Sequence, residues 1–536
     1  MADMNNKDET MFWADQIARE VLERENKLDR GTKVFRTEMG VGASGIPHVG
    51  SAGDGVRNFV VNLALKDLGA KSEFIAFSDD RDGLRKVPMG FPDSLEDDIG
   101  KPVSLIKDPF NCHGSFADHF SSILAKSFNK LGLKFILKRA HEEYSKGKLD
   151  NEVIDILTRA KDVGKIIEEV TGQDKFLRIL PFLPICGKCK RIYTTSAYKF
   201  DPKTKKISYK CDQEFMGSNS NTGKNIPIKG CGYEGEAGIR DGKVAWKAEF
   251  ACRWRALKIN YEAYGKDILD SVKANDRISR EILNWEPPLH SLYEMLTERS
   301  GKKISKSASR VFTPEMWFKY ASPESLRLLF LKRLRTTRVV DLDSIPIYMD
   351  EVDNLAKVYF GIIKIPNEKE LVHMKRLYEY MNFLKPIKKP TFFNSYNILT
   401  NILIIAKDKK VVKSVLKKSK HIPEKLSKQE EKMLDEKLDY VENWMKDNKK
   451  EEVTDIELSE KQKNAIRKLA KELEKKWDEE GLQARLYGLA KEEGLTMGEF
   501  FKGVYSVLLH NERGPRLAPF ILALGKEKVA KKFEKV

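Results

Sequence analysis

Residues 34–50 read VFRTEMGVGASGIPHVG, and SAGDGVRNFVVNLALKDLG continues to Gly69. The first part has the β-branched and apolar character of a strand, and the last places apolar residues at helical spacing. Between them lie Gly42, Ser44, Gly45 and Gly50. Small residues at such a turn let backbone N–H groups approach an anion closely, and the N-terminus of the following helix favours negative charge. His48 stands where that helix begins. An imidazole there can donate to a phosphate oxygen and stabilise the charge that develops when an α-phosphorus is attacked.

Far downstream, KKISKSAS at Lys302–Ser309 brings two ammonium groups, Lys303 and Lys306, and two hydroxyls, Ser305 and Ser307, into one loop. That composition suits a triphosphate. Either segment alone reads more readily as a structural turn or a solvated loop. Their pairing in this order points to ATP chemistry.

The chain has 536 residues, too many for one core, and suggests about three to five modules. Its 97 basic and 80 acidic residues leave a net charge of +17, which favours a phosphate-bearing partner, although a generally basic protein is the plain alternative. No stretch reaches the roughly 20 apolar residues that span a bilayer. The start, MADMNNKDETMFWADQ, lacks the basic region of a secretory signal, so no membrane association and a cytoplasmic location are expected.

Six cysteines in so large a chain read as metal ligands or core residues rather than as a disulfide framework. Cys186 and Cys189 form a tight knuckle, and Cys211 and Cys231 follow among short strands and turns. Four thiolates around Zn2+ would supply the folding energy that such a small β region lacks. The polar segment QEFMGSNSNTGKNIPIK between the last two reads as an inserted loop, and the long gap leaves Cys231 the least certain ligand. A second cluster, Asp108, Cys112, His113 and His119, has the donors for another tetrahedral site; a polar turn before a helix is the alternative. Cys252 has no partner in either cluster and reads as a core residue.

Taken in order, SGIPHVG, SDDRDGLRKVP, KDPFNCHGSFADHF, CGKC, WKAEFACRWRALKINYEAYGKD, LYEML, KKISKS and GPRLAPF resemble the class I lysyl-tRNA synthetases. PHVG and KISKS are similar to the HIGH and KMSKS motifs of the wider class. The resemblance implies an α/β, Rossmann-like catalytic domain with a zinc-binding insertion, followed by an all-α anticodon-binding region. It implies a catalytic first half over 1–110, an insertion with the zinc sites over 111–240 and a catalytic second half over 241–300. The KMSKS loop and stem-contact region then span 301–365, and the helical domain spans 366–536.

It further implies ATP contacts from Gly42, Ser44, Gly45, His48, Gly50, Asp267, Lys303, Ser305, Lys306 and Ser307, with His48, Lys303 and Lys306 catalytic. Lysine would be held by Glu38, Gly40, Trp246 and Tyr293. Glu38 stands ten positions before His48, where similar glutamyl-tRNA synthetases carry an Arg for a substrate carboxylate. The reversed charge favours an ammonium, unless Glu38 merely faces solvent at a strand end. Trp246 and Tyr293 would pack the aliphatic stem and cover the cation. Ile268 stands where bacterial members carry a His after the GKD element, so that contact is missing. The strip Asp79, Asp80, Asp82, Arg85 and Lys86 would hold the α-amino group or order a loop; a solvated turn is the equal alternative. Zn2+, two per chain, and Mg2+ are the implied metals; ATP, L-lysine and tRNA(Lys) are the implied partners. The sequence does not fix the oligomeric state, and a monomer is expected.

From about Pro366 the chain becomes rich in Lys, Glu and Leu at helical spacing, read as helices joined by polar linkers, with a glycine turn at Gly514-Pro515-Arg516. Two rivals stand beside this reading. A class I synthetase for glutamate or cysteine would share both ATP motifs, and Glu38 argues against the first. A zinc-containing RNA-binding protein would explain charge and thiols but not His48 with the KISKS loop.

Overall fold

The computed structural model describes residues 11–297, 312–406, 408–448, 457–509, 512 and 516–536. Lys303, Ser305, Lys306, Ser307, Gly514 and Pro515 lie outside them. The chain forms two compact units. One comprises the chain to Glu315 together with Arg327–Asp341 and Asn367–Pro386; the other comprises Met316–Leu326, Leu342–Pro366 and Ile387–Val536.

The first unit is built on five parallel strands, β1 (Phe35–Val41), β2 (Ser72–Ser78), β3 (Ile136–Arg139), β4 (Tyr261–Gly265) and β5 (Leu289–Tyr293). Their order is β5-β4-β1-β2-β3. Glu38 of β1 pairs with Ile75 of β2 on one side and with Glu262 of β4 on the other. The chain thus leaves β1 in one direction to build β2 and β3 and returns on its other side to build β4 and β5. Such a reversal opens a crevice beyond the carboxyl ends of the two central strands.

The three central strands are largely buried, as a parallel sheet covered on both faces requires, while the edge strands β3 and β5 are only partly so. Phe74, Ile75, Ala76 and Phe77 of β2 are all buried, and Phe74 lies between Phe59 and Phe128. Helix α1 (Val49–Asp67) follows β1 and buries Val56, Phe59, Val60, Val61, Ala64 and Leu65. Helix α2 (Phe116–Lys130) starts at Ser115, whose hydroxyl accepts the Asp118 N–H. Helix α3 (Trp246–Ala256) precedes β4. The first helix of the Lys- and Glu-rich stretch, Glu368–Met381, belongs to this unit: Arg376 pairs with Asp15 at 2.9 Å and Asp67 at 2.6 Å.

Between β3 and α3 a β-rich region carries a three-stranded antiparallel sheet of Ser196–Asp201, Lys206–Lys210 and Glu234–Gly238. The segment expected as an inserted loop is instead a β-hairpin, Glu214–Asn219 paired with Asn225–Lys229. Phe215, Gly217 and Asn219 alternate along one strand, with Ile226 and Ile228 on the other, a period-two pattern that the intervening polar residues mask.

The second unit is helical. Among its helices, Lys428–Asp447 and Glu460–Glu472 begin with full capping boxes, Ser427 with Glu430 and Ser459 with Gln462. Leu434, Leu438 and Val441 form the buried stripe of the longer one. Among the described residues no helix is long and apolar enough to cross a membrane.

Phe74 is 2 % exposed. Phe74→Ala is expected to cost about 3–5 kcal/mol through lost burial and the cavity left behind, read as a lowered midpoint in denaturant unfolding of the first unit.

Candidate active site and metal centres

The crevice is a cavity of about 790 Å³. Its floor is the carboxyl end of β1 (Met39, Gly40, Val41, Gly42) and of β4 (Glu262, Ala263, Tyr264, Gly265). Asp79 after β2, Tyr293 at the end of β5, and Trp246, Phe250 and Arg253 of α3 complete the walls.

His48 caps α1 and lines the cavity; its Nδ1 accepts the Ser51 N–H at 3.4 Å. A ring nitrogen that accepts leaves the proton of the neutral imidazole on Nε2. Gly50 makes room for this arrangement, because a Cβ there would lie 2.6 Å from His48 Cε1. The Val49 N–H donates to the Phe312 carbonyl at 2.9 Å. The residue just past the 298–311 segment is thereby anchored beside His48, and Leu296 just before it lines the cavity. Gly42, Gly50 and Asp267 line the cavity as well, whereas Ser44 and Gly45 of the turn do not.

Trp246, Tyr293 and Gly40 line the cavity. Tyr293 is held rather than loose: its hydroxyl donates to Asp54, and the Arg57 guanidinium lies 4.1 Å from its ring centroid. Burial pushes the Arg57 guanidinium pKa down against the opposing pull of Tyr293 and Asp54.

Glu38 is placed differently from the expectation that it meets the substrate. It is 0 % exposed and does not line the cavity; its Oε1 lies 3.0 Å from Arg253 Nε. Arg253, 1 % exposed, also donates from Nη1 to Asp79 Oδ1 at 2.9 Å, and its Nη2 lies 3.9 Å from Glu262 Oε1. The rings of Phe77 and Phe250 flank the guanidinium at 4.6 and 4.7 Å. Alongside, Lys243 bridges Asp82 and Glu249, both at 2.6 Å. Burial raises the Glu38 carboxyl to about 8 and that of Asp79 to about 7, against the pull of Arg253. Burial raises Glu262 too.

Arg253, Lys243, Asp54 and Arg57 escaped the sequence reading. One signal was legible: Glu249 and Arg253, four apart, sit on a helix whose other central residues are apolar. Asp80 does not line the cavity; its carboxylate holds the ring and backbone N–H of His141. Asp82 and Arg85 line the cavity, and Lys86 starts a short strand beside the hairpin.

Both metal clusters assemble. Sγ atoms of Cys186 and Cys231 lie 3.7 Å apart, as do those of Cys189 and Cys211. Four sulfurs about 2.3 Å from a central ion would stand about 3.8 Å apart, so the quartet has tetrahedral dimensions. The Cys231 N–H also points at Cys211 Sγ, at 3.4 Å. Antiparallel pairing of the hairpin brings its two ends together, and this is how Cys231 reaches the site across 20 positions. In the second cluster Cys112 Sγ is 3.0 Å from His113 Nδ1, 3.3 Å from His119 Nδ1 and 3.1 Å from Asp108 Oδ2. Backbone N–H groups of Phe110, Cys112 and His113 orient that carboxylate. Cys252 is buried in the core with no metal-ligand neighbour among the described residues.

A parallel sheet whose crevice meets a histidine-capped helix, followed by a helical unit, is the architecture of the class I tRNA synthetases. The family described as tRNA synthetases class I (K) matches residues 11–383, and the anticodon binding domain matches residues 409–536. The chain belongs to that class I (K) family. A lysine–tRNA ligase of Cenarchaeum symbiosum (strain A) is 39% identical over 521 residues, 97% of each chain. Lysine–tRNA ligases of Natronomonas pharaonis and Archaeoglobus fulgidus are each 28% identical, over 97% of both chains and over 98% and 99% respectively.

If both clusters hold zinc, purified protein carries two equivalents. Cys231→Ser is then expected to retain one by metal analysis, and two equivalents in that variant would remove Cys231 from the ligand set.

Proposed function

We propose that this chain activates lysine with ATP to lysyl-adenylate and transfers it to tRNA(Lys). The observation that carries this is the crevice itself: phosphate-binding features stand on one side and a buried, carboxylate-rich floor on the other. The lysine carboxylate attacks the α-phosphorus, an acyl–phosphate bond forms, and pyrophosphate leaves. His48 Nε2–H donates to the phosphates, and Lys303 and Lys306 neutralise the departing charge. Mg2+ arriving with ATP would screen the triphosphate charge. The 2′-hydroxyl of the terminal adenosine then attacks the mixed anhydride and AMP leaves. Trp246 and Tyr293 flank the aliphatic stem, and Asp79 accepts the ε-ammonium in place of the α-amino group that the sequence reading gave it. Positioning and electrostatics carry the rate, without a covalent enzyme intermediate.

Zn2+ fits both clusters by donor set and spacing. It would hold the insertion together at the cysteine quartet and fix the start of α2 at the other. The helices of the 409–536 region read the anticodon, with unwound bases taken by stacking and edge hydrogen bonds.

Charging of a total tRNA pool with each radiolabelled amino acid tests the reading: lysine alone is expected, and another amino acid would discard the pocket assignment. His48→Ala and Lys306→Ala are each expected to abolish ATP–pyrophosphate exchange while leaving tRNA affinity nearly unchanged. Lost tRNA binding with intact exchange would overturn their roles.

Lysine affinity carries a pH signature. The groups facing Asp79 are Arg253, Glu249, Lys243 and Asp82, and those facing Glu38 are Arg253, Glu262, Asp79 and Glu249. Because burial raises both carboxyls, to about 7 and about 8, acid protonates them and weakens the pull on an ammonium. The ε-ammonium, with a pKa of about 10.4, stays charged throughout. The KM for lysine is therefore expected to fall as pH rises from about 6.5 to about 8.5.

A further inference from the structure

We propose that Glu38, acting through Arg253, is a positioning residue that sets the charge preference of the pocket without itself lining it. The inference rests on the lysine reading above and deepens it. It starts from a charge imbalance in a water-poor place: one guanidinium is shared by Glu38 at 3.0 Å, Asp79 at 2.9 Å and Glu262 at 3.9 Å. Three carboxylates on one cation carry a formal charge of −2 at the base of the cavity once all three are ionised, a state that burial delays until the pH rises. Neighbouring Lys243 does not correct it, being occupied by Asp82 and Glu249.

Geometry says where the shortfall is felt. Glu38 is sealed beneath the floor, and Glu262 Oε2 accepts the Trp254 indole N–H at 2.6 Å. Asp79 is 6 % exposed, its Oδ1 is taken by Arg253, and its Oδ2 accepts no hydrogen bond from the described residues. That oxygen reaches the bare backbone of the cavity floor: a Cβ on Gly40 would lie 3.6 Å from Asp79 Oδ2 and 3.1 Å from Arg253 Nη2. Glu38 and Glu262 hold the fork of Arg253, the fork holds Asp79, and Asp79 presents the uncompensated charge to the cavity it lines.

A cationic ligand completes this cluster, whereas an anionic side chain meets its repulsion. Exchanging Glu38 for a neutral residue leaves Arg253 with fewer carboxylates to serve, and it then quenches Asp79 more fully. Specificity thus passes from the strand to the substrate through a guanidinium, which only a planar fork with several donors can relay.

The test is a double-mutant cycle on lysine-dependent ATP–pyrophosphate exchange with Glu38→Gln, Asp79→Asn and the pair, folding being checked by circular dichroism melts. Glu38→Gln is expected to raise the lysine KM about tenfold with the ATP KM and kcat changed less than about threefold, and to flatten the pH dependence of the lysine KM. The pair is expected to be no worse than Asp79→Asn alone, because both act on one oxygen. Glu38→Asp, which keeps the charge, is expected to stay within about threefold of the parent. If Glu38→Gln does not fold, Glu262→Gln replaces it in the cycle, since it shares the same guanidinium. Multiplicative effects in the pair, or an unchanged lysine KM in the single variant, overturn the proposal. Exchange by the parent protein that responds to a different amino acid overturns the lysine reading instead.

Discussion

Everything in the first unit depends on β1 being flanked by β2 on one side and β4 on the other. Right-handed crossovers from a central strand leave their connections on opposite faces, so nothing covers the carboxyl ends of the two middle strands. Into that gap the chain delivers three kinds of group. A histidine-capped helix start follows β1, the acidic turn 79–82 follows β2, and the aromatic ends of β4 and β5 close the far wall. The site is a consequence of strand order before it is a consequence of any side chain.

The second constraint is electrostatic. A buried cluster with more carboxylates than cations costs stability in the empty protein, and burial shows this cost by raising the Glu38 and Asp79 pKa values. The cost is tolerable because the cluster is laced together by Arg253 and Lys243 and walled by Phe77 and Phe250. On the proposed lysine reading, a ligand ammonium returns part of it on binding. Strain of this kind belongs where a pocket must discriminate by charge.

Much of this was legible in the chain. The strand, turn and helix around His48, both metal clusters and the aromatic wall residues were recognisable, because each depends on residue types at short range. Cys231 was harder, since Glu214, Ser218, Asn225 and Lys229 on the outer face of the hairpin that folds it back conceal its alternation. The helix Glu368–Met381 read as the start of the helical region, yet Arg376 and Phe383 tie it to the sheet unit. Composition cannot separate two helices that differ only in which apolar face they meet.

Glu38 shows the division most clearly. That an acid stands ten residues before His48 is a property of the sequence, and it argues for a cationic substrate on charge alone. Which atom meets the substrate is decided by the fold, because Glu38 on β1, Asp79 after β2, Arg253 on α3 and Glu262 on β4 come from four separate stretches. Local patterning determined the small-residue turn, the metal-ligand types and the acid at position 38. Only tertiary packing, by burying one carboxylate and leaving another open to the cavity, determined how that sign is expressed.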